Sequence, residues 1–189
     1  MELKRNKIVE QAIILFSDQG YNDTTIAKVA KAAGVSFGSV FTYFPSKEVL
    51  FHHAVVEPLL EYSSVLLDFN PDADNPSLEI EKMITNHICL FSRLSTYLRL
   101  LVQVIGQRNR FESQFKEINI LHDKLVEKIT SLVLKGQQMN HLRIQDPMIV
   151  ATSYMSLLMG LRLNLSDEPN LDFWFKFVPY AKQLFGPKI

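Results

Sequence analysis

Apolar side chains recur every three or four residues along almost the whole chain, and no stretch reads as a run of strands. That period belongs to helices with one buried face, and it excludes a sheet-based fold. Three punctuation marks divide the first fifty residues. Gly20 ends a first helix over about Leu3–Gln19, with Ile8, Ala12, Leu15 and Phe16 as its apolar stripe. A second, short helix starts at Thr24 or Thr25, either of which can cap it, buries Ile26, Val29, Ala30 and Ala33, and stops at Gly34. A third covers about Ser36–Phe44 and is ended by Pro45, which pushes the residue before it out of the helical region. Ser46 caps a fourth, with Glu48 in the first turn where the helix dipole favours an anion. It runs to about Asp68.

The polar loop DFNPDADNP over 68–76, with two prolines, is the one clear linker. Further helices are expected near 77–94, 97–109, 111–138, 147–165 and 170–185. The chain is all-α: three short helices, then a larger helical body.

Charge points to no partner, because 20 Lys and Arg balance 20 Asp and Glu. Any nucleic-acid surface must be a local arrangement. The single cysteine, Cys89, excludes an internal disulfide and fits a reducing cytosol. The amino terminus lacks the apolar run of a signal peptide. The longest uncharged stretch, between Asp146 and Arg162, is shorter than the roughly 20 residues that span a bilayer. A cytoplasmic protein with no membrane contact is expected.

A pair of short helices joined by a tight turn at Gly34-Val35 has the form of a helix-turn-helix, whose second helix lies in the major groove. The ordered set Gly20-Tyr21, Thr24-Thr25-Ile26, Val29-Ala30, Ala33-Gly34-Val35-Ser36, Gly38-Ser39-Val40, Tyr43-Phe44 and Ser46-Lys47-Glu48 resembles the amino-terminal signature of the TetR family of transcriptional regulators. The likeness covers residues 5–50; the rest of the chain carries no comparable motif. It implies a three-helix DNA-binding domain over 2–62, with the helix-turn-helix at about 25–44, and a helical ligand-binding and dimerisation domain over 63–189. Carried over residue by residue, it implies that Thr25 and Ile26 hold a phosphate at the start of the second helix. It implies further that Val35, Ser36, Phe37, Gly38 and Ser39 enter the groove. Phe41, Thr42 and Tyr43 match the aromatic-rich end of the recognition helix, and Lys47 a phosphate-binding base.

Two residues depart from the pattern. Phe41 stands where the family usually has tyrosine, and Phe37 where a polar residue is common. No Arg, Lys, Asn or Gln lies between Gly34 and Phe44, so the bidentate readers of guanine and adenine are missing. Readout is then expected through thymine methyl contact, hydroxyls, backbone and DNA shape. On a helical wheel with the core direction between Val40 and Phe44, Phe37 lies about 40° from it. On angle alone Phe37 is core or core edge, so inward packing and groove contact both stand. Gly38, Ser39 and Thr42 point outward. Lys4, Arg5 and Lys7 crowd the positive end of the first helix, either as an ordinary solvated terminus or against an anion such as the phosphate backbone.

In the helical body, Met83, His87, Phe91, Met139, Met155 and Met159 either line an apolar pocket or form plain core. The resemblance implies a small apolar or amphipathic inducer there, of unread location. The segments 148–161 and 171–185 are apolar on more than one face and must be covered. The resemblance makes these last two long helices the interface of a homodimer. Two such subunits would read double-stranded DNA as a pseudo-palindromic operator. Burial within one subunit is the alternative.

No catalytic residue, cofactor or metal is expected. His53 and Glu57 make an i, i+4 pair without an evident third ligand, and no Gly-rich phosphate loop or nucleophile elbow occurs. The reading is a ligand-responsive DNA-binding regulator, in most cases a repressor. A DNA-associated factor without an inducer is the alternative, and a small helical enzyme or metal-binding protein the most distant.

Overall fold

The computed structural model of the chain describes residues 2–165 and 170–188. The expected second domain, 63–189, includes a few positions outside the described residues. Ten helices are described: α1 Glu2–Asp23, α2 Ile26–Ala33, α3 Phe37–Tyr43, α4 Lys47–Leu66, α5 Pro76–Phe91, α6 Ser95–Gly106, α7 Glu112–Gln138, α8 Pro147–Asn164, α9 Leu171–Phe175 and α10 Val178–Leu184. Among the described residues no strand occurs, only an isolated bridge between Leu142 and Pro187. The all-α expectation holds. No single described helix is long and apolar enough to cross a membrane.

Two expected boundaries need correction. Gly20 breaks α1 with a positive φ of 77° and an extended ψ of 171°, but the chain regains helical form for Tyr21–Asp23. The helix expected over 170–185 is two short ones, α9 and α10, separated at Lys176 and Phe177. Pro179, in the first turn of α10, explains the break: it has no N–H to give and its ring would clash with the carbonyl four residues back. The segment thus does not supply a last long helix.

The chain forms two compact units. The first holds the residues up to Leu60 together with Thr96–Ile118. Its core is Ile8, Ala12, Phe16, Val29, Val40, Phe44, Leu50, Phe51 and Ala54. Phe51 meets Phe16, Tyr21 and Phe111 with ring centroids 4.9, 4.9 and 4.7 Å apart. Tyr97 donates to the Val55 carbonyl at 2.6 Å, Gln103 to the Ser17 carbonyl at 2.8 Å, and Arg99 pairs with Asp18 at 3.1 Å. The first sixty residues therefore share their core with a segment far along the chain.

The second unit holds Glu61–Ser95 and the chain from Asn119 onward. The buried stripe of α5 is Ile80, Met83, Ile84, His87, Ile88 and Phe91. His87 Nε2 lies 2.9 Å from the Leu66 carbonyl and Nδ1 3.1 Å from the Tyr154 hydroxyl. A neutral imidazole that donates from Nε2 and accepts at Nδ1 satisfies both contacts. Burial holds the His87 pKa down at about 4. Arg162 is buried too, donating to the Ser92 carbonyl at 3.2 Å with its guanidinium 5.1 Å from the Trp174 ring.

The six suggested pocket residues do not share one environment. Met83, His87 and Phe91 are buried along α5, whereas Met155 and Met159 on α8 are half-buried. Met139 is 38 % exposed just past the end of α7, which argues against pocket lining. Asn140 there takes a positive φ of 60°, and the His141 and Leu142 N–H groups turn back to the Gly136 carbonyl. A recess of about 390 Å³ in this unit is lined instead by Leu67, Pro71, Lys124, Glu127, Lys128 and Ser131. It is open, with Lys124, Glu127 and Lys128 placing charged groups around it.

Candidate nucleic-acid interface

The α2–turn–α3 geometry is built from capping interactions. Thr25 is the N-cap of α2: its side chain accepts from the Lys28 N–H at 3.2 Å. Thr24 is buried and turned the other way, donating to the Gly20 carbonyl at 2.8 Å and the Leu15 carbonyl at 3.0 Å. Gly34 closes α2 in the left-handed conformation (φ 66°, ψ 35°), with its N–H directed at the Ala30 and Lys31 carbonyls. Val35 N–H then reaches the Ala30 carbonyl at 3.0 Å. Two of the four orphan carbonyls of α2 are thereby satisfied, the chain turns sharply and α3 begins at once. Ser36 caps α3 by accepting from the Ser39 N–H at 3.2 Å.

Within α3, Val40 and Phe44 are fully buried and anchor the helix, as their spacing requires. The outward side carries Phe37, Gly38, Phe41 and Thr42, all exposed, with Ser36 at its start and Ser39 half-buried. The hydroxyls are partly engaged: Ser36 and Ser39 lie 2.7 Å apart, and Thr42 donates to the Gly38 carbonyl at 3.3 Å. Each retains acceptor capacity toward solvent. Phe37 is 55 % exposed and Phe41 41 %, so inward packing of Phe37 is corrected. The wheel angle misleads because Phe37 is the first helical residue. Its side chain tilts toward the helix N-terminus and overhangs the turn instead of the core. The two rings lie edge to face, centroids 5.1 Å apart.

The flanks are supported from below. Ile26 is buried, which leaves only its backbone N–H available at the start of α2. Tyr43 is half-buried with its ring 6.4 Å from that of Phe44. Lys47 Nζ donates to the Asn22 carbonyl at 3.2 Å and stands 4.3 Å from the Tyr21 ring centroid. Burial pulls the Lys47 pKa down. Tyr21 donates to Glu48 at 2.8 Å, and burial with that bond pushes its hydroxyl up to about 12.

Lys4 and Lys7 are exposed on α1. Arg5 is not aimed outward. Its guanidinium forks onto both carboxylate oxygens of Glu57, lies 3.3 Å from His53 Nδ1 and 5.3 Å from the Phe44 ring centroid. His53 also contacts Glu57. The imidazole and carboxylate that resembled half a metal site are thus held by a guanidinium. The Arg5 bond keeps the Glu57 carboxyl below its ordinary pKa.

Charge is unevenly distributed around the helix pair. Between Asp23 and Glu48 the chain carries Lys28, Lys31 and Lys47 and no acidic residue. The neutral total hides a helix-turn-helix with a net positive charge. Lys31 is exposed, and Lys28 is exposed while donating to Gln19 at 2.8 Å and the Asp23 carbonyl at 2.7 Å. The arrangement offers cations and free helix N–H groups at the rim, and hydroxyl and aromatic groups at the centre. Phosphates suit the first and base edges the second.

Residues 8–54 match the bacterial regulatory proteins of the tetR family. Over 129 residues the chain is 30% identical to the biofilm operon icaADBC HTH-type negative transcriptional regulator IcaR of Staphylococcus epidermidis, covering 65% of this chain and 68% of that protein. The chain belongs to the TetR family. It is a DNA-binding transcriptional regulator. IcaR of Staphylococcus aureus (strain Newman) is 25% identical over 126 residues, 66% of this chain and 67% of that one. Solved structures share the TetR fold over nearly the whole length. A tetR-family regulatory protein from Rhodococcus aligns with a TM-score of 0.79 at 18% identity, covering 98% of both chains. AibR, solved in complex with isovaleryl coenzyme A and operator DNA, aligns with a TM-score of 0.77 at 17% identity, over 98% of this chain and 100% of AibR.

Proposed function

We propose that this TetR-family protein is a repressor, working in the cytoplasm as a homodimer on a pseudo-palindromic operator and released by a small apolar or amphipathic inducer. The observation that carries the reading is the outward face of α3 on a capped helix pair free of acidic residues from Thr24 to Lys47. Negative regulation is supported by the likeness to IcaR, a negative transcriptional regulator. Response to a ligand is supported by AibR, which holds both a coenzyme A thioester and operator DNA.

In this reading residues 2–62 form the DNA-binding domain. Ser36, Phe37, Gly38, Ser39, Phe41 and Thr42 face the major groove, with Val35 at its edge. The Thr25 hydroxyl, the Ile26 N–H, Tyr43, Lys47 and Lys4 meet phosphates. Arg5 acts through Glu57, fixing α1 to α4. Residues 63–189 bind the inducer and form the dimer. Exposed Met148, Ile149 and Leu163 on α8, Phe173 on α9 and Tyr180 on α10 offer the apolar surface for a second copy. The inducer shifts a two-state equilibrium, by no more than its difference in affinity for the two states. The reading assigns no catalytic residue.

The test is selection of bound fragments from genomic DNA by the purified protein at stated salt. The expected product is a pseudo-palindrome with half-sites about one helical turn apart. Absence of any preference over bulk DNA would sink the regulator reading.

A further inference from the structure

The recognition helix carries an aromatic pair where its base readers should be. Phe37 and Phe41 are exposed, stacked edge to face, and have no polar group of their own. Neither ring can bind a phosphate or donate to a base edge. Exposed rings this large are unfavourable in water, and a partner that covers them with apolar atoms removes that cost. In the major groove only thymine presents a carbon substituent, its C5-methyl, and phenyl rings suit it.

We infer that the Phe37–Phe41 pair is the specificity determinant of this protein, reading two closely spaced thymine methyl groups in each operator half-site. The inference rests on the DNA-binding reading above and names the chemistry it recognises. Three observations converge on it. Among the side chains of α3, these two are the large ones left uncovered, while Val40 is fully buried. The ring centroids are 5.1 Å apart. Successive bases on one strand rise by about 3.4 Å, so the pair spans one to two steps. And the surrounding groups are already suited to phosphates or to one another: Ser36 with Ser39, Thr42 with the Gly38 carbonyl, Lys47 and Lys31 at the rim. The exposed edge of the pair is left to meet the bases. Each half-site should therefore contain thymines at neighbouring or next-neighbouring positions whose replacement is costly.

The test uses the full chain and the tightest duplex recovered by selection from random DNA. Each thymine is replaced in turn by deoxyuridine, which deletes only the methyl group. Losing one buried methyl should weaken binding about fourfold, and losing both in a half-site about fifteenfold. The sensitive positions should fall as close neighbours, and the same swap elsewhere should change little. Phe37→Ala and Phe41→Ala, both at exposed sites, should keep their helical circular dichroism and bind the thymine and uracil forms more nearly alike. If uracil duplexes bind as tightly as thymine ones while the operator still beats bulk DNA, the aromatic readout is wrong and the regulator reading stands. If the double alanine variant remains as sensitive to methyl loss as the wild type, the methyls act through DNA shape and the inference also fails. If no duplex beats bulk DNA, both readings fail together.

Discussion

Two helices of this protein carry apolar side chains at the same spacing and put them to opposite uses. In α3, Phe37 and Phe41 stand four residues apart and face solvent; in α5, Met83, His87 and Phe91 stand four apart and are closed off. The difference does not lie in the spacing. It lies in how much of each helix the rest of the fold covers. Val40 and Phe44 already fill the inward side of the short α3, so its second apolar pair has nowhere to go. In α5 two adjacent rows, Ile80–Ile84–Ile88 and Met83–His87–Phe91, are both covered, and even the histidine is drawn in and satisfied by Leu66 and Tyr154. An i, i+4 apolar pair is core only where the rest of the fold covers that side of the helix.

The largest expected contrast is in stability. Met83→Ala should cost about 2–5 kcal/mol, because it leaves a cavity in packed surroundings. Phe41→Ala, at an exposed site, should stay within about 0.5 kcal/mol in the free protein. Denaturant unfolding of both variants checks this, and equal losses would break the distinction between the two faces. A second contrast is in pH dependence. His87 is neutral in the fold with a pKa near 4, against an ordinary value of 6.5. The unfolded chain binds the proton more readily, so stability is complete above 6.5 and declines as pH falls toward 4. Between pH 7 and pH 5 the loss from this group should be about 2 kcal/mol. In a His87→Gln variant that component should vanish, leaving a flatter profile over the same window.

Smaller effects belong to the helix ends. Thr25→Ala should lower stability by about 1 kcal/mol through the lost cap, and it should also weaken DNA binding evenly across sequences. If Thr25→Ala changed sequence preference instead, Thr25 would be a base reader and the division between rim and centre would need redrawing. The smallest effect concerns Glu57. Its carboxyl is held low chiefly by Arg5, so the pair's contribution is present above the usual carboxylate range and is lost as pH falls through the depressed value. With both partners about one-third exposed, Glu57→Gln should cost less than about 1 kcal/mol. A loss well beyond that would mean Arg5 also holds Phe44 in place.

Legibility in the sequence followed the range of the interaction. Gly34, Ser36 and Pro45 act within a turn or two, so the helix pair and its boundaries could be read directly. Thr24 and Thr25 could each have been the cap; the choice depended on Gly20 and Leu15, which the fold brings against Thr24. The exposure of Phe37 was hidden because a wheel treats every residue as mid-helix, and this one begins the helix. The break before α10 was readable from Pro179 and passed over because the apolar run on either side is continuous. Arg5 with Glu57, 52 residues apart, left no local trace. The positive stretch from Thr24 to Lys47 is legible only residue by residue, because acidic residues elsewhere bring the total to zero. For the suggested pocket residues, composition alone could not separate core from lining.

Hydrogen exchange of the full chain, alone and with the selected operator duplex at saturation, tests most directly whether the α3 face is the reading surface. Slower exchange concentrated in peptides spanning 25–47, with the already buried α5 peptide over 76–91 unchanged, is the predicted result. Unchanged exchange across 25–47 beside clear protection elsewhere would contradict the account.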